Sequence, residues 1–303
     1  MTSAGPHPDA RTEDVSNVQP DAVTAHPEAQ SDAAIARRFV CARLAARALP
    51  DYPGELPLSL AQSYQRQDAA IALWPDRVVG WKVGKIPGEW VPRVGEERLV
   101  GPIFARHVQP IADGGDVALA VIDGGFAAVE AEYIFVLGQD APPDRLDYTT
   151  EDAAAFVSAL HIGIEFAGSP LATINELGPA VVVSDFGNNA GLLLGPEISD
   201  WRTHALESLR CETFVAGRLV GRGGAASISG GPLAALAFAL ARCARRGRAL
   251  RAGDLISTGA STGIHDIRIG ETARVEFAGG VVLHCHAERA QARAELPRDQ
   301  APC

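Results

Sequence analysis

Val129-Glu130-Ala131-Glu132-Tyr133-Ile134-Phe135-Val136-Leu137 is the stretch on which the reading of this chain turns. From Tyr133 onward it is a run of aromatic, β-branched and aliphatic side chains, which predicts a strand. Residues two apart on a strand share a face, so Glu130 and Glu132 stand side by side. Two carboxylates placed this way repel each other and raise each other's pKa unless a cation sits between them. Hard divalent ions such as Mg²⁺ and Mn²⁺ prefer oxygen ligands of this kind. Two charges on a solvent-facing strand edge would leave the same local pattern.

Working outward, Glu165 lies in His161-Ile162-Gly163-Ile164-Glu165-Phe166-Ala167-Gly168, a lone acid among apolar and small residues. A buried carboxylate there needs a hydrogen-bond partner, a proton or a cation. A third metal ligand accounts for it better than a turn-bonding role before Gly168 and Pro170. Toward the N-terminus, Gly80-Trp81-Lys82-Val83-Gly84-Lys85 places Lys82 at the centre of an apolar strand. Its ammonium either binds a carboxylate or moves a proton, or it follows its stem out to water. Lys85 reads as an exposed charge. Toward the C-terminus, Ser184-Asp185-Phe186-Gly187-Asn188-Asn189-Ala190-Gly191 is a tight turn or a loop lining a pocket. Ser257-Thr258-Gly259-Ala260-Ser261-Thr262-Gly263 offers hydroxyls and flexible amides that suit a substrate carboxylate, and a plain connection would look alike. His284 and His286 alternate on a C-terminal strand without a nearby acid, and the Arg242–Arg251 cluster reads as a solvated helix end.

Around these segments the chain divides by texture. Residues 1–31 are a polar leader expected to be disordered. Residues 32–76 form an N-terminal helical segment, residues 77–286 a mixed-β domain and residues 287–303 a flexible tail with at most one frayed helix. Helical spacing runs over Ala33–Leu49 and Leu58–Leu73, broken by Pro50, Pro53 and Gly54. Strands are predicted at Val78–Val83, Val117–Ile122, Ala128–Leu137, Gly191–Leu194, Glu212–Val215, Asp254–Ser257 and Ala273–Phe277. Further helices are predicted at Thr150–Leu160 and Pro232–Arg246, the second opened by Gly230-Gly231 with proline in its first turn. Short strands without regular βαβ alternation give an α+β fold rather than a doubly wound one.

Composition narrows the partners. Lys and Arg total 27 against 37 Asp and Glu, a net charge of −10 that repels polyanions and argues against nucleic acid. The longest apolar run, Leu233–Leu240, is far below the roughly 20 residues a membrane helix needs. Five widely spaced cysteines without a C-x-x-C pair suit a reducing, cytoplasmic setting.

Taken in order, Gly80–Gly84, Glu130-Ala131-Glu132, Ile164-Glu165, Asn189-Ala190, Gly221-Arg222-Gly223, Gly231-Pro232-Leu233 and Thr258-Gly259-Ala260 resemble the fumarylacetoacetate hydrolase superfamily. The branch is that of 2-keto-4-pentenoate hydratase and 4-oxalocrotonate decarboxylase, and the resemblance runs from roughly Ala33 to Phe277. It implies a mixed β-sheet roll around a metal site, preceded by helices, in a homo-oligomer. Glu130, Glu132 and Glu165 match the carboxylate ligands of Mg²⁺ or Mn²⁺, and Lys82 matches the active-site lysine of the hydratases. Thr258 and Gly259 match strand-end residues that touch the substrate carboxylate, and Asn189 joins them as a candidate substrate contact. The implied activity is that of a lyase in aromatic-compound catabolism, a hydratase adding water to a 2-hydroxy-2,4-dienoate to give a 4-hydroxy-2-oxo acid. Loss of CO₂ from a 2-oxo-3-enedioate, C–C hydrolysis of acylpyruvates and binding of a small 2-oxo acid without turnover stay open. Two positions depart from the family pattern: Leu99 stands where the hydratases place an acid two residues before the glycine at Gly101, and Asn188 replaces the acid before the Asn-Ala pair. In a hydratase, Glu89, Glu96 or Glu97 would have to complete the proton transfer. In a hydrolase, His107 is the one histidine in the region of the expected Glu–His pair.

Overall fold

A computed structural model describes Met1 and residues 31–293. The expected leader, apart from Met1 and Ser31, and the tail from 294 onward lie outside the described residues. Helices α1 (Asp32–Leu44) and α2 (Leu60–Leu73) open after Ser31 and Ser59, whose hydroxyls accept from the amides of Ala34 and Gln62 and so satisfy one otherwise unpaired first-turn N–H each. Strands β1 (Val78–Lys85), β2 (Arg98–Phe104), β3 (Val108–Pro110), β4 (Asp116–Val121) and β5 (Phe126–Leu137) follow, with the short helix α3 (Val91–Val94) after β1. Next come α4 (Thr150–Ala155), β6 (Val157–Ser169), α5 (Pro179–Ser184), β7 (Asn189–Glu197), β8 (Arg210–Val215), β9 (Arg218–Gly224) and α6 (Gly231–Arg245). The last strands are β10 (Leu255–Ser257), β11 (His265–Asp266), β12 (Thr272–Phe277) and β13 (Val282–Arg289).

The strands form two mixed sheets. The larger runs β2-β1-β10-β5-β6-β7-β3, with β11 also paired to β5; the smaller runs β4-β13-β12-β8-β9. Parallel pairs (β1/β10, β7/β3, β13/β4) sit among antiparallel ones, giving the expected α+β architecture. The main core fills the space between the sheets and the helices, with Tyr133, Phe135 and Leu137 of β5 at its centre. Truncating a buried Phe such as Phe135 to Ala costs about 3–5 kcal/mol in such settings.

Strands β2, β3, β9 and β11 and the short helices α3 and α5 have no counterpart in the sequence reading, and the structure departs from it at three further places. The helix expected over Thr150–Leu160 ends at Ala155, with Phe156 as its C-cap, and the chain continues as the 13-residue strand β6. From Ile162 to Ser169 both faces are covered, while Val157 and Leu160 are buried around an exposed Ser158, a three-residue spacing that sequence alone does not distinguish from helix. Pairing with β5 on one side and β7 on the other satisfies its backbone. At the C-terminus β13 runs on to Arg289, into the first residues of the expected tail. The Arg242–Arg251 cluster is not simply solvated: Arg246 is nearly buried, lies over Tyr64 and Trp81, and pairs with Asp68, while Arg242 pairs with Glu96. Among the described residues no helix is long and apolar enough to cross a membrane.

Candidate metal centre and cavity

The β5/β6 register sets Glu130 directly opposite Glu165, and Glu132 projects from the same face of β5 two residues on. Like charges directly opposed across a strand pair are destabilising, yet here three are gathered and buried. One carboxylate oxygen from each lies within 4.8 Å of the others. The two acids that sequence placed together and the third from a distant segment therefore meet in space.

Lys82 joins them from β1, which reaches β5 through β10; its register partner there is Ser257. Its Nζ lies 3.2 Å from Glu165 Oε1 and donates to Asn188 Oδ1 at 3.0 Å. Burial alone would lower the lysine's pKa, but the surrounding carboxylates of Glu165, Glu130 and Glu132 outweigh it and the net direction is up. Burial raises Glu130 to about 7, with the Lys82 charge pulling down against it and Glu165 pushing up. Burial also raises Glu132 well above its ordinary range, reinforced by Glu165 and Glu130.

The remaining oxygens test whether a cation fits. Glu132 Oε2 accepts from the amide of Gly259 at 2.7 Å, and Glu165 Oε1 accepts from Asn189 Nδ2 at 3.1 Å. Glu132 Oε1, Glu165 Oε2 and Asn189 Oδ1 are buried without any hydrogen-bond donor. Three carboxylates against one ammonium, with orphaned acceptor oxygens and no further donors, is the donor set of a hard divalent ion.

Other sequence candidates fall into place around this cluster. Asn189 touches Glu165, and Gly259 touches Glu132. The Thr258 hydroxyl is buried and donates to the Tyr133 carbonyl at 2.7 Å, tying the loop to β5. Asn188 sits at the end of a turn in which Phe186, Gly187 and Asn188 all have positive φ, at 55°, 63° and 56°. Such backbone is costly for Phe and Asn and persists only where its surroundings over-determine it. Here the Phe186 ring packs edge-on against Trp74 and Phe104. Gly101 of β2 lets the turn approach, since a Cβ there would lie 2.1 Å from the Phe186 carbonyl oxygen. Asp185, just before the turn, is clamped by Arg43 at 2.6 and 2.9 Å and by the Ser169 hydroxyl at 2.6 Å.

Sequence reasoning passed over Arg43 and gave Asp185 no separate role. Arg43 reads as an ordinary helix arginine, and its partner is 142 residues away. The Ser184–Gly191 cluster was the available signal for Asp185.

A cavity of about 370 Å³ opens onto this centre, reached by Lys82, Glu130, Asn175 and Asn188. Lys85 also lines it, and the rest of its wall is largely apolar: Trp90, Leu99, Pro179, Val182 and Ile264. A side chain added at Gly84 would meet Leu99 Cδ1 at 3.1 Å and Lys82 Nζ at 3.8 Å, so leucine and ammonium flank the same spot. None of Glu89, Glu96 and Glu97 lines the cavity, and Glu96 is engaged by Arg242. His107 lines a different cavity with Arg43, Arg106 and Arg293, where burial and the Arg293 and Arg43 charges lower it to about 4. His286 does have an acid beside it, contrary to the sequence reading: Asp116 on the parallel neighbour β4, 2.9 Å away.

Comparison with solved structures supplies the class first. The fold matches 4-oxalocrotonate decarboxylase from Pseudomonas putida G7, complexed with calcium and acetate, at a TM-score of 0.68 and 22% identity, covering 84% of this chain and 96% of that one. It also matches fumarylpyruvate hydrolase from Pseudomonas aeruginosa, complexed with Mn²⁺ and pyruvate, at 0.52 and 18% identity, covering 71% and 91%. No family model matches the sequence. In sequence the chain is 28% identical over 251 residues to a 4-oxalocrotonate decarboxylase from a Pseudomonas species, spanning 80% of this chain and 92% of that relative. In fold and in sequence the chain is therefore similar to 4-oxalocrotonate decarboxylase, in line with the resemblance to the fumarylacetoacetate hydrolase superfamily that its motifs carry.

Proposed function

We propose that the protein is a divalent-cation-dependent lyase of 2-oxo acids, and that it removes CO₂ from a 2-oxo-3-enedioate rather than adding water to a dienoate. Glu130, Glu132 and Glu165 would hold Mg²⁺ or Mn²⁺, which supplies Lewis-acid stabilisation of negative charge at the substrate's C1 carboxylate and C2 oxygen. The observation that carries the choice of reaction is Leu99, an apolar wall beside Lys82 where proton transfer at the far end of the substrate would need an acid.

Hydration requires a proton delivered to C5 and water activated for attack at C4. Among the described residues Glu130 is the only acid that lines the cavity, and the walls at Trp90, Leu99, Val182 and Ile264 carry no acid or base for either task. Decarboxylation of a 2-oxohex-3-enedioate asks for neither. The C5–C6 bond breaks, its electron pair becomes C4=C5, C3=C4 shifts to C2=C3, and the charge arrives on the C2 oxygen. Lys82 holds a proton at Nζ near the acidic cluster, suited to orient the carboxylate end and to neutralise that oxygen on product release. Asn188 and Glu165 fix the ammonium, and the Arg43–Asp185 clamp fixes Asn188's turn. C–C hydrolysis is disfavoured because His107 lies in another cavity. The relative's activity supports the reading, as does a related decarboxylase structure that holds magnesium and adipate, a six-carbon diacid.

The test is product analysis with 2-oxohex-3-enedioate and Mg²⁺. Release of one CO₂ per substrate with appearance of the 2-hydroxy-2,4-dienoate chromophore is expected. Turnover of 2-hydroxypenta-2,4-dienoate to the 4-hydroxy-2-oxo acid, without CO₂ release from the diacid, would instead make the protein a hydratase.

A further inference from the structure

We infer that Lys85 is the second anchor of the substrate, its ammonium holding the far carboxylate of a dicarboxylic 2-oxo acid at the cavity mouth. The inference rests on the reading of the three glutamates as the ion site that holds the C1 end. The chain has two lysines, Lys82 and Lys85, among its 27 Lys and Arg residues. Both lysines line the same cavity. Lys82 is buried and occupied by Glu165 and Asn188, whereas Lys85 is exposed and, among the described residues, pairs with no acid.

Three residues along β1 separate the two lysine backbones by about 10 Å, an odd spacing that turns their side chains to opposite faces, so Lys85, the last residue of the strand, meets the cavity at its rim. Between them the wall is mainly apolar, formed by Pro87, Trp90, Leu99, Val182 and Ile264, with Asn175 and Asn188 on the Lys82 side. A ligand filling this space is therefore charged at its ends and hydrocarbon in its middle, the pattern of a six-carbon diacid. A monocarboxylic dienoate would leave Lys85 facing only solvent. An ammonium at this position favours the carboxylate and not neutral CO₂, so its contribution is to binding and not to the bond-breaking step.

Mg²⁺-loaded protein is titrated with pyruvate, which presents only the C1 end, and with 2-oxoadipate, which has both ends and no double bond to permit CO₂ loss. The Lys85→Met variant is expected to bind 2-oxoadipate about tenfold more weakly and pyruvate as wild type does. That unchanged pyruvate affinity also reports an intact fold. With the active diacid, KM rises by the same factor while kcat holds. Reductive methylation read by mass spectrometry gives a second signal, because few amines compete: 2-oxoadipate protects Lys85 and pyruvate does not. Equal 2-oxoadipate affinity in Lys85→Met and wild type, with pyruvate binding intact, overturns the role of Lys85 alone. Failure of pyruvate to bind Mg²⁺-loaded wild type overturns the ion-site reading and this inference with it.

Discussion

Two buried charge centres lie close together in this molecule and are built on opposite terms. Arg43 and Asp185 form one: a single cation and a single anion, doubly bonded to each other, with Ser169, the Gly168 carbonyl and the Asn189 carbonyl taking up remaining donors and acceptors. Glu130, Glu132, Glu165 and Lys82 form the other: three carboxylates less one ammonium leave a formal −2, with two carboxylate oxygens that no donor reaches. Burial is comparable in both. The first is complete within the chain and serves to hold a strained turn. On the proposed reading the second is complete only with about two positive charges from outside, and that deficit would separate a functional centre from an architectural one.

The sharpest way to break the comparison is to unbalance the balanced centre. Asp185→Asn leaves the Arg43 guanidinium buried without its counter-charge and is expected to cost about 3–5 kcal/mol, read by urea denaturation in saturating Mg²⁺. A loss below about 1 kcal/mol would mean that the pair is not a structural clamp. For the unbalanced centre, free Mg²⁺ at a hundred times its Kd is expected to stabilise the wild type by about 2.7 kcal/mol. Glu165→Ala should abolish that gain and weaken Mn²⁺ binding at least about a hundredfold in calorimetric titration. Ion binding untouched by Glu165→Ala would place any metal elsewhere.

The smallest expected effect is the dependence on pH of the metal-free protein. Glu130, at about 7, and Glu132 hold protons in the folded state that the unfolded chain loses near its ordinary carboxylate pKa. The folded state binds more protons over that interval, so stability is greatest below the unfolded pKa and falls as pH rises toward about 7. A loss of roughly 2 kcal/mol across that window is expected in chelator, and Mg²⁺ should flatten the curve. A metal-free protein that gains stability between pH 5 and 7 would show the cluster to be compensated internally.

These contrasts also explain what could be read from the chain alone. β5 was legible because its apolar run carries two acids on one face, and α6 because Gly230, Gly231 and Pro232 mark its start. β6 was hidden because from Ile162 to Ser169 both of its faces are buried, and its first residues, buried at Val157 and Leu160 with Ser158 exposed between, carry a helix-like spacing. The acids and Lys82 stood out as charges in apolar surroundings, a local signal. That Glu165 falls opposite Glu130 is a matter of strand register, and Arg43 acquires its role only from partners brought in by the fold; neither leaves a local trace. Leu99 was visible as a departure from the family pattern, but only its place beside Lys82 in an apolar cavity gave that departure a consequence for the chemistry.

The central claim is that the acidic cluster is a cation site awaiting its charge. Crystals grown with Mn²⁺ and examined by anomalous diffraction test it most directly. The account predicts a single strong peak in bonding contact with oxygens of Glu130, Glu132 and Glu165 together. A protein that crystallises at millimolar Mn²⁺ with no peak there, or with the Lys82 ammonium filling the space between the three carboxylates, would contradict it.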